Sequence, residues 1–294
     1  MKFSLPLSAI IGLAASQALS CPHYDAAVAA VQAGDVETAK PLYAAIKVSD
    51  ACDAALQEWV GDYLAKHSFG VALESDDPAI SRQALTEALG FEVHWRSYAA
   101  LGDLDWSEQD YASAARNYQL AINELLEGDQ SHEATTEEIE EVYQMATAAM
   151  ALADEVVDLP RTRSGETGGV FAQSIRGFEV EEVPLPITFE YNSTRFDASG
   201  ESYAAALADH LIATAPPSVF LGGHTDPIGG EEFNLDLSIA RAEATAAFLS
   251  AYGYAGEVNI VGFGESRLPP APPGIAEGSE EHYRIARRVA FSVQ

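Results

Sequence analysis

The chain has 294 residues, 48% of them hydrophobic and 21% charged, with a formal net charge of −29 at pH 7. That composition excludes a disordered chain and indicates a globular protein long enough for two domains. So acidic a surface repels nucleic acid and anionic lipid, which excludes nucleic acid as a partner.

The first twenty residues have the pattern of a secretory signal peptide. Lys2 gives the positive start, residues 10–15 the short apolar core, and 18–20 the small-residue cleavage site. The apolar run is too short to cross a bilayer, and no later stretch is long enough for a transmembrane helix. We therefore expect a mature chain outside the cytoplasm that begins at Cys21.

Cys21 and Cys52 are the two cysteines of the sequence. Cysteines in an oxidising compartment usually pair, so we expect a disulfide between them. A lipid anchor on Cys21 is the alternative. The usual lipoprotein signal places Leu three residues before the cysteine, whereas this chain has Ala18 there.

From residue 21 to 158 apolar side chains recur at helical spacing and predict an all-α array of six or seven helices. Asp77-Pro78 predicts an N-cap followed by proline at the first helical position, and Thr135 with Glu138 predicts a capping box. This half is also the more acidic one. Residues 21–183 include 9 basic and 31 acidic residues, whereas residues 184–294 include 6 basic and 14 acidic residues.

Part of this region resembles a tetratricopeptide-like helical hairpin. Leu101-Gly102, Ala114, Tyr118 and Ala121 lie at the offsets of that repeat, although Asp105 stands where an aromatic residue is usual. The resemblance implies paired helices in close contact. Two interpretations stay open for the region: a groove that binds a partner protein, or a helical spacer or fixed cap on the second domain.

Residues 159–182 lose the helical period. Gly, Ser and Thr dominate between Pro160 and Gly177, which predicts a flexible or extended linker. The sequence thus predicts a helical domain over 21–158 and a second domain over 183–294.

The second domain alternates strand and helix patterns. We predict a strand from Pro184, a helix that Ser199 caps, and a strand from Ser218. A helix from about Asn234, a strand from Glu257 and a last strand from Arg288 follow. The order β-α-β-α-β-β predicts an α+β sandwich with helices on one face of a mixed sheet.

Two opposite charges stand out in this domain. Asp226 lies in the loop that leaves a buried strand, and Arg241 lies early in the next helix. Held in this way they can face one pocket, where the carboxylate binds an ammonium and the guanidinium binds a carboxylate. The alternative is a simple salt bridge between the two.

The domain resembles the OmpA C-terminal-like domain, the peptidoglycan-binding module of OmpA, Pal and MotB proteins. The segments that carry the resemblance are Gly223-His-Thr-Asp226, Gly229, Asn234, Leu237-Ser238, Arg241-Ala242, Gly262-Phe-Gly264 and Arg287-Arg-Val289. The match covers roughly residues 183–294.

The resemblance implies a ligand and its contacts. In the family, residues that match Asp226 and Arg241 hold the ammonium and the carboxylate of diaminopimelate, the amino acid of Gram-negative stem peptides. Further hydrogen bonds to that ligand are implied for Asn192, Thr225, Asn234 and Arg287.

Catalysis, a metal and a cofactor are not expected. His23, His67, His94 and His132 lack metal-ligand spacing, and no serine or cysteine nucleophile accompanies His224.

The sequence therefore predicts a non-catalytic protein of the periplasm, associated with the cell wall and outer membrane. It would bind peptidoglycan non-covalently through the stem peptide, while the helical domain would bind an envelope partner. A protein–protein scaffold with a degenerate wall-binding pocket and an enzyme acting on wall peptides are the alternatives.

Overall fold

The computed structural model describes residues 21–128, 134–163, 165, 167–172, 174–175, 178–190 and 193–293. The predicted signal peptide, residues 1–20, lies outside these ranges. The chain divides into two compact units whose boundary falls between Val93 and His94.

The first unit is helical. Its four helices are α1 (Tyr24–Ala33), α2 (Val36–Lys47), α3 (Ala54–Glu74) and α4 (Pro78–Phe91). Aspartate side chains accept backbone N–H groups at three of the four starts, at Asp35, Asp53 and Asp77. The predicted cap at Asp77-Pro78 is therefore confirmed, and such caps satisfy N–H groups that a helix start leaves without partners.

A disulfide joins Cys21 to Cys52 across a sequence separation of 31, as the sequence predicts. It lies at the edge of a small core in which Tyr43 and Ile46 pack with apolar side chains of α3. Tyr43 donates a 2.8 Å hydrogen bond to the carbonyl of Phe91, which ties α2 to the end of α4.

The second unit opens with three helices: α5 (Trp95–Ser107), α6 (Tyr111–Glu127) and α7 (Thr136–Leu152). A Cβ atom on Gly102 would lie 2.7 Å from the ring of Tyr118, so glycine is what permits α5 and α6 to approach so closely. The capping box of Thr135 and Glu138 is present. The hairpin is thus confirmed as helical, and its kinship with tetratricopeptide repeats stays a prediction.

A mixed sheet follows. Its strands are β3 (Val183–Leu185), β4 (Ser218–His224), β5 (Glu257–Gly264) and β6 (Val289–Val293), after a short hairpin of β1 (Ser174–Ile175) and β2 (Phe178–Glu179). The main sheet has the order β3-β6-β4-β5, with β4 parallel to β5 and antiparallel to β6. Three helices are interleaved: α8 (Ala198–Thr214), α9 (Glu231–Tyr252) and α10 (Glu280–Ala286). The predicted α+β class is confirmed.

Some predicted boundaries change. Asp197, not Ser199, caps α8, because its carboxylate accepts the N–H of Gly200. Helix α9 begins at Glu231, before Asn234. The sequence prediction also missed α10, since seven residues show too little periodicity to be read.

The segment predicted as a linker is packed where the structure describes it. Val170, Phe171 and Ile175 are buried. Val170 N–H donates to the side-chain oxygen of Gln119 at 2.9 Å, and the Val170 carbonyl accepts the hydroxyl of Tyr143 at 2.8 Å. Helices α5–α7 therefore share one hydrophobic core with the sheet. The second compact unit begins at His94, and the predicted division of the chain at residues 159–182 stays a prediction.

Candidate functional site

The predicted site lies where β4 ends and α9 begins. A Cβ atom on Gly223 would lie 2.0 Å from the carbonyl oxygen of Ser238, so only glycine permits α9 to pack this closely on β4. This contact fixes the helix that carries Arg241 against the strand that leads to Asp226. Two rigid elements thus set the relative positions of both charges.

Asp226 pairs with Arg287 rather than with Arg241. Its Oδ2 accepts a 2.7 Å hydrogen bond from Nη1 of Arg287, and its Oδ1 accepts the N–H of Ile228 at 2.9 Å. Arg287 also donates to Glu280. Burial lowers the pKa of Arg287, but the hydrogen bonds with Asp226 and Glu280 outweigh it and raise that pKa above its ordinary value.

Arg241 lies close by without an acidic partner among the described residues. Its Nε donates a 3.3 Å hydrogen bond to the carbonyl of Ser193, and its guanidinium lies 5.1 Å from the ring centre of Phe189. Burial, followed by the positive charge of Arg287, lowers the pKa of Arg241, while the charge of Asp226 opposes the shift. No ion pair joins Arg241 to Asp226 in the described structure, which contradicts the simple salt-bridge alternative.

A cavity of about 360 Å³ opens beside these groups. This volume lies within the range of roughly 300–1,000 Å³ that is usual for small-molecule sites. Its guanidinium groups come from Arg241, Arg284, Arg287 and Arg288. Residues at the end of α7 and just after it also line the cavity, namely Met150, Ala151, Ala153, Asp154 and Glu155. Asp226 is not among the described lining residues, although Arg287, which donates to its Oδ2, does line the cavity.

The other predicted ligand contacts have different places. Asn234 is buried and its Nδ2 donates to the carbonyl of Asp226 and to Glu265. Asn234 thus stabilises the loop that carries Asp226 and is not among the described residues that line the cavity. Thr225 is buried, and its N–H donates to Gly264 at 2.9 Å. Asn192 lies outside the described residues.

Several lining residues were not predicted from the sequence. Arg288 and His224 belong to motifs that carry the family resemblance, but no ligand contact was predicted for either. Arg284 lies on the unpredicted helix α10, where it donates a 3.2 Å hydrogen bond to the carbonyl of Ala153. The double arginine at 287–288 was the available signal, because two neighbouring guanidinium groups favour an anion close to them.

Neither a metal site nor a membrane span is found in the parts of the chain that the structure describes. No group of three or more His, Cys, Asp or Glu side chains there is arranged to hold a metal ion. No described helix is both long and apolar enough to cross a bilayer.

Comparison with known proteins gives one family match and several relatives. The model of the OmpA family matches residues 188–280. Outer membrane porin F of Pseudomonas aeruginosa is 32% identical over 138 residues, which are 46% of this chain and 38% of the porin. The chain therefore spans well under half the length of that relative.

Two shorter relatives are covered almost completely. Outer-membrane lipoprotein YfiB of Pseudomonas aeruginosa is 30% identical over 152 residues, which are 47% of this chain and 89% of that protein. The peptidoglycan-associated lipoprotein of Pasteurella multocida is 28% identical over 151 residues, 50% of this chain and 97% of that protein.

Proposed function

Because this chain belongs to the OmpA family, we propose that it binds peptidoglycan non-covalently through the diaminopimelate of the stem peptide. The relatives are named as outer-membrane porins and lipoproteins, one of them peptidoglycan-associated, and none is named as an enzyme. A non-catalytic role in the cell envelope, in the periplasm at the wall or outer membrane, fits those names.

The observation that carries the proposal is that Arg241 lines the cavity without a carboxylate partner among the described residues. It is partly buried and donates to a carbonyl oxygen. A guanidinium in that position gains a strong two-pronged contact when a carboxylate enters. The ligand would thus supply the charge that Arg241 lacks.

Asp226 can still accept the ammonium of the same amino acid. An ionised carboxylate offers about four lone-pair sites, and Arg287 and the N–H of Ile228 use two of them. In this arrangement Arg287 orients the carboxylate and Asp226 shares its charge between Arg287 and the ligand. A ligand with both an ammonium and a carboxylate fits such a pair better than a simple anion.

A binding assay with purified sacculi tests the proposal. Wild-type protein should sediment with sacculi, whereas Asp226→Ala and Arg241→Ala should stay in the supernatant. Asp209→Ala and Arg163→Ala are matched controls, because both side chains are exposed and lie away from the cavity. Equal sedimentation of all five proteins would refute the assignment of the site.

We also infer a second role, for the helical part, as a docking surface for an envelope protein. Apolar side chains of the first unit are exposed, namely Val48, Val71, Leu73 and Ile80. If wall binding is absent, a scaffold with a degenerate pocket is the better description. In that case Leu73→Asp should abolish capture of the partner from envelope extracts, while sacculi retain neither protein.

A further inference from the structure

The helical hairpin of α5 and α6 contacts the proline-rich loop that precedes α10. This loop runs from Pro269 to Gly278 and contains four prolines. Trp106 is buried at the end of α5, and its Nε1 donates a 2.9 Å hydrogen bond to the carbonyl of Pro273, 167 positions away. The ring of Trp106 packs edge-on against Tyr111 of α6, with ring centres 5.1 Å apart. Both helices of the hairpin therefore help to hold the loop.

His282 of α10 holds the same loop at two further points. Its side chain is 1% exposed, its Nδ1 accepts the N–H of Gly278 at 2.9 Å, and its Nε2 lies 2.7 Å from the carbonyl of Pro269. Proline rings fix φ along the segment between, so a loop held at these points has little freedom to move. The position of Pro273 is therefore linked to that of the first turn of α10.

Helix α10 carries this link to the candidate ligand site. Two of its side chains or their neighbours, Arg284 and Arg287, line the cavity. Arg284 donates a 3.2 Å hydrogen bond to the carbonyl of Ala153, just past the end of α7. Arg287, directly after the last residue of α10, donates the 2.7 Å hydrogen bond to Oδ2 of Asp226. The orientation of α10 thus sets the position of the group that fixes the Asp226 carboxylate.

Such a helix needs support from outside itself. It has seven residues, and isolated helices shorter than about 12–15 residues are marginal in water. Its orientation must therefore come from tertiary contacts, which include contacts with α7. Burial raises the pKa of Tyr111, and the charges of Glu281 and Arg284 act on it in opposite directions, so this residue of α6 also lies near α10.

We propose that Trp106 is a positioning residue for the site formed by Asp226 and Arg241. By holding Pro273 it fixes the loop and the orientation of α10. Helix α10 in turn presents Arg287 to Asp226. This proposal rests on the proposed function and deepens it, because it gives α5 and α6 a part in ligand binding although neither helix contacts the ligand.

Trp106→Phe is the variant that tests the hydrogen bond alone, because it keeps an aromatic ring in the core and removes the N–H that Pro273 accepts. Isothermal titration of the full mature protein with meso-diaminopimelate measures the effect. The variant should bind about three- to tenfold more weakly than wild type, the fold-change that corresponds to the net contribution of one hydrogen bond.

Tyr143→Phe is the matched control. It also removes a hydrogen bond from a buried side chain of the same unit to a backbone carbonyl, that of Val170 at 2.8 Å. Urea unfolding should show similar losses of stability for the two variants. The affinity of Tyr143→Phe for meso-diaminopimelate should stay within about twofold of wild type. Equal affinities of the two variants would show that Trp106 has a structural role only and would overturn the proposal.

The route through Arg287 is tested by combining changes. In an Arg287→Gln background, Trp106→Phe should weaken meso-diaminopimelate by less than about a further twofold, because the contact through which it acts is already absent. A further loss as large as that in wild type would contradict the route.

A second measurement separates this proposal from the proposed function. If wild type does not bind meso-diaminopimelate, the proposed function fails, and the unfolding equilibria of Trp106→Phe, Asp226→Asn and the double variant decide the positioning role. The loss in the double variant should be smaller than the product of the single losses by about twofold or more. Losses that simply multiply would overturn the positioning of Asp226 by Trp106.

Discussion

The carboxylate of Asp226 is fixed by the guanidinium of Arg287, 61 positions away in sequence, through a 2.7 Å hydrogen bond. Only 13% of the Asp226 side chain and 30% of the Arg287 side chain are exposed. This ion pair holds the loop after β4 against the end of α10. The charge that is proposed to bind the ligand is therefore positioned by a residue from another element.

Arg287→Gln should lower the free energy of unfolding by about 1–3 kcal/mol, because Asp226 would lose its main charged partner while partly buried. Urea denaturation followed by circular dichroism measures this change. The double variant with Asp226→Asn should lose less than the sum of the single variants, since both changes remove the same contact. Additive losses would contradict a direct coupling between the two side chains.

Stability should fall with pH below about 6.5, in part because of His224. Burial, with smaller contributions from Arg288 and Arg267, lowers the pKa of His224 from 6.5 to about 3 in the folded protein. The unfolded chain takes up the proton first, so the stabilisation is complete above pH 6.5 and is lost as the pH falls toward 3. At pH 5 the loss should be about 2 kcal/mol from this residue.

The comparison with His224→Phe isolates that contribution. Denaturation at pH 7 and pH 5 should give a smaller difference for the variant than for wild type. His210, whose pKa burial lowers to about 4, continues to contribute in both proteins. Identical pH differences would show that His224 takes up its proton equally in the folded and unfolded states.

Gly223→Ala should destabilise the second unit by roughly 1–3 kcal/mol or more, because the new methyl group would overlap the carbonyl of Ser238. The variant should also lose wall binding, since α9 carries Arg241. Gly230→Ala is the matched control, as a Cβ atom there meets nothing within 4 Å. Thermal melts and sacculus sedimentation of both variants check the prediction; equal stability of the two would contradict it.

Reduction of the disulfide between Cys21 and Cys52 should cost the first unit about 3–4 kcal/mol on the chain-entropy account of a closed loop. Urea unfolding with and without a reductant measures the loss. Cys21→Ser with Cys52→Ser should show the same lower stability and no response to the reductant. A wild-type protein that is indifferent to the reductant would rule out a stabilising role for this bond.

Phe171→Ala should cost roughly 3–5 kcal/mol, the usual loss for a large aromatic side chain removed from a core. Phe171 is 2% exposed and lies 5.5 Å from the ring of Phe291 on β6. Arg163→Ala, at an exposed neighbouring position, should change stability little. Equal melting temperatures for the two variants would favour the interpretation of this segment as a linker.

The sequence was sufficient for elements whose pattern is local. Helical periodicity and capping residues such as Asp77 and Thr135 predicted the helices of the first 150 residues, and short apolar runs predicted strands β4 to β6. Alternation predicted a strand from Pro184 onward, of which the structure keeps only the start, in β3. The packed segment around Val170 was missed because its order comes from side chains 51 positions away, such as Gln119. Glycine-rich composition says nothing about such partners.

The candidate site also combines residues that a local motif predicts with contacts that only the folded chain shows. A motif placed Asp226 and Arg241 on neighbouring elements, and the structure keeps them there. The motif did not indicate that Arg287 takes one oxygen of Asp226, because that contact depends on how α10 and β6 approach β4. The burial of His224 and its two ring nitrogens, which have no hydrogen-bond partner among the described residues, became visible only in the structure.

The burial of Phe171 and Ile175 has a practical consequence for the design of truncated fragments of this protein. An expression fragment that starts at residue 183 discards those side chains together with α5–α7, and exposes the surface of Val183, Leu185 and Phe291 that they share a core with. Such a fragment should aggregate. A recombinant fragment that starts at His94 keeps that surface covered, and it is the fragment suited to ligand titrations.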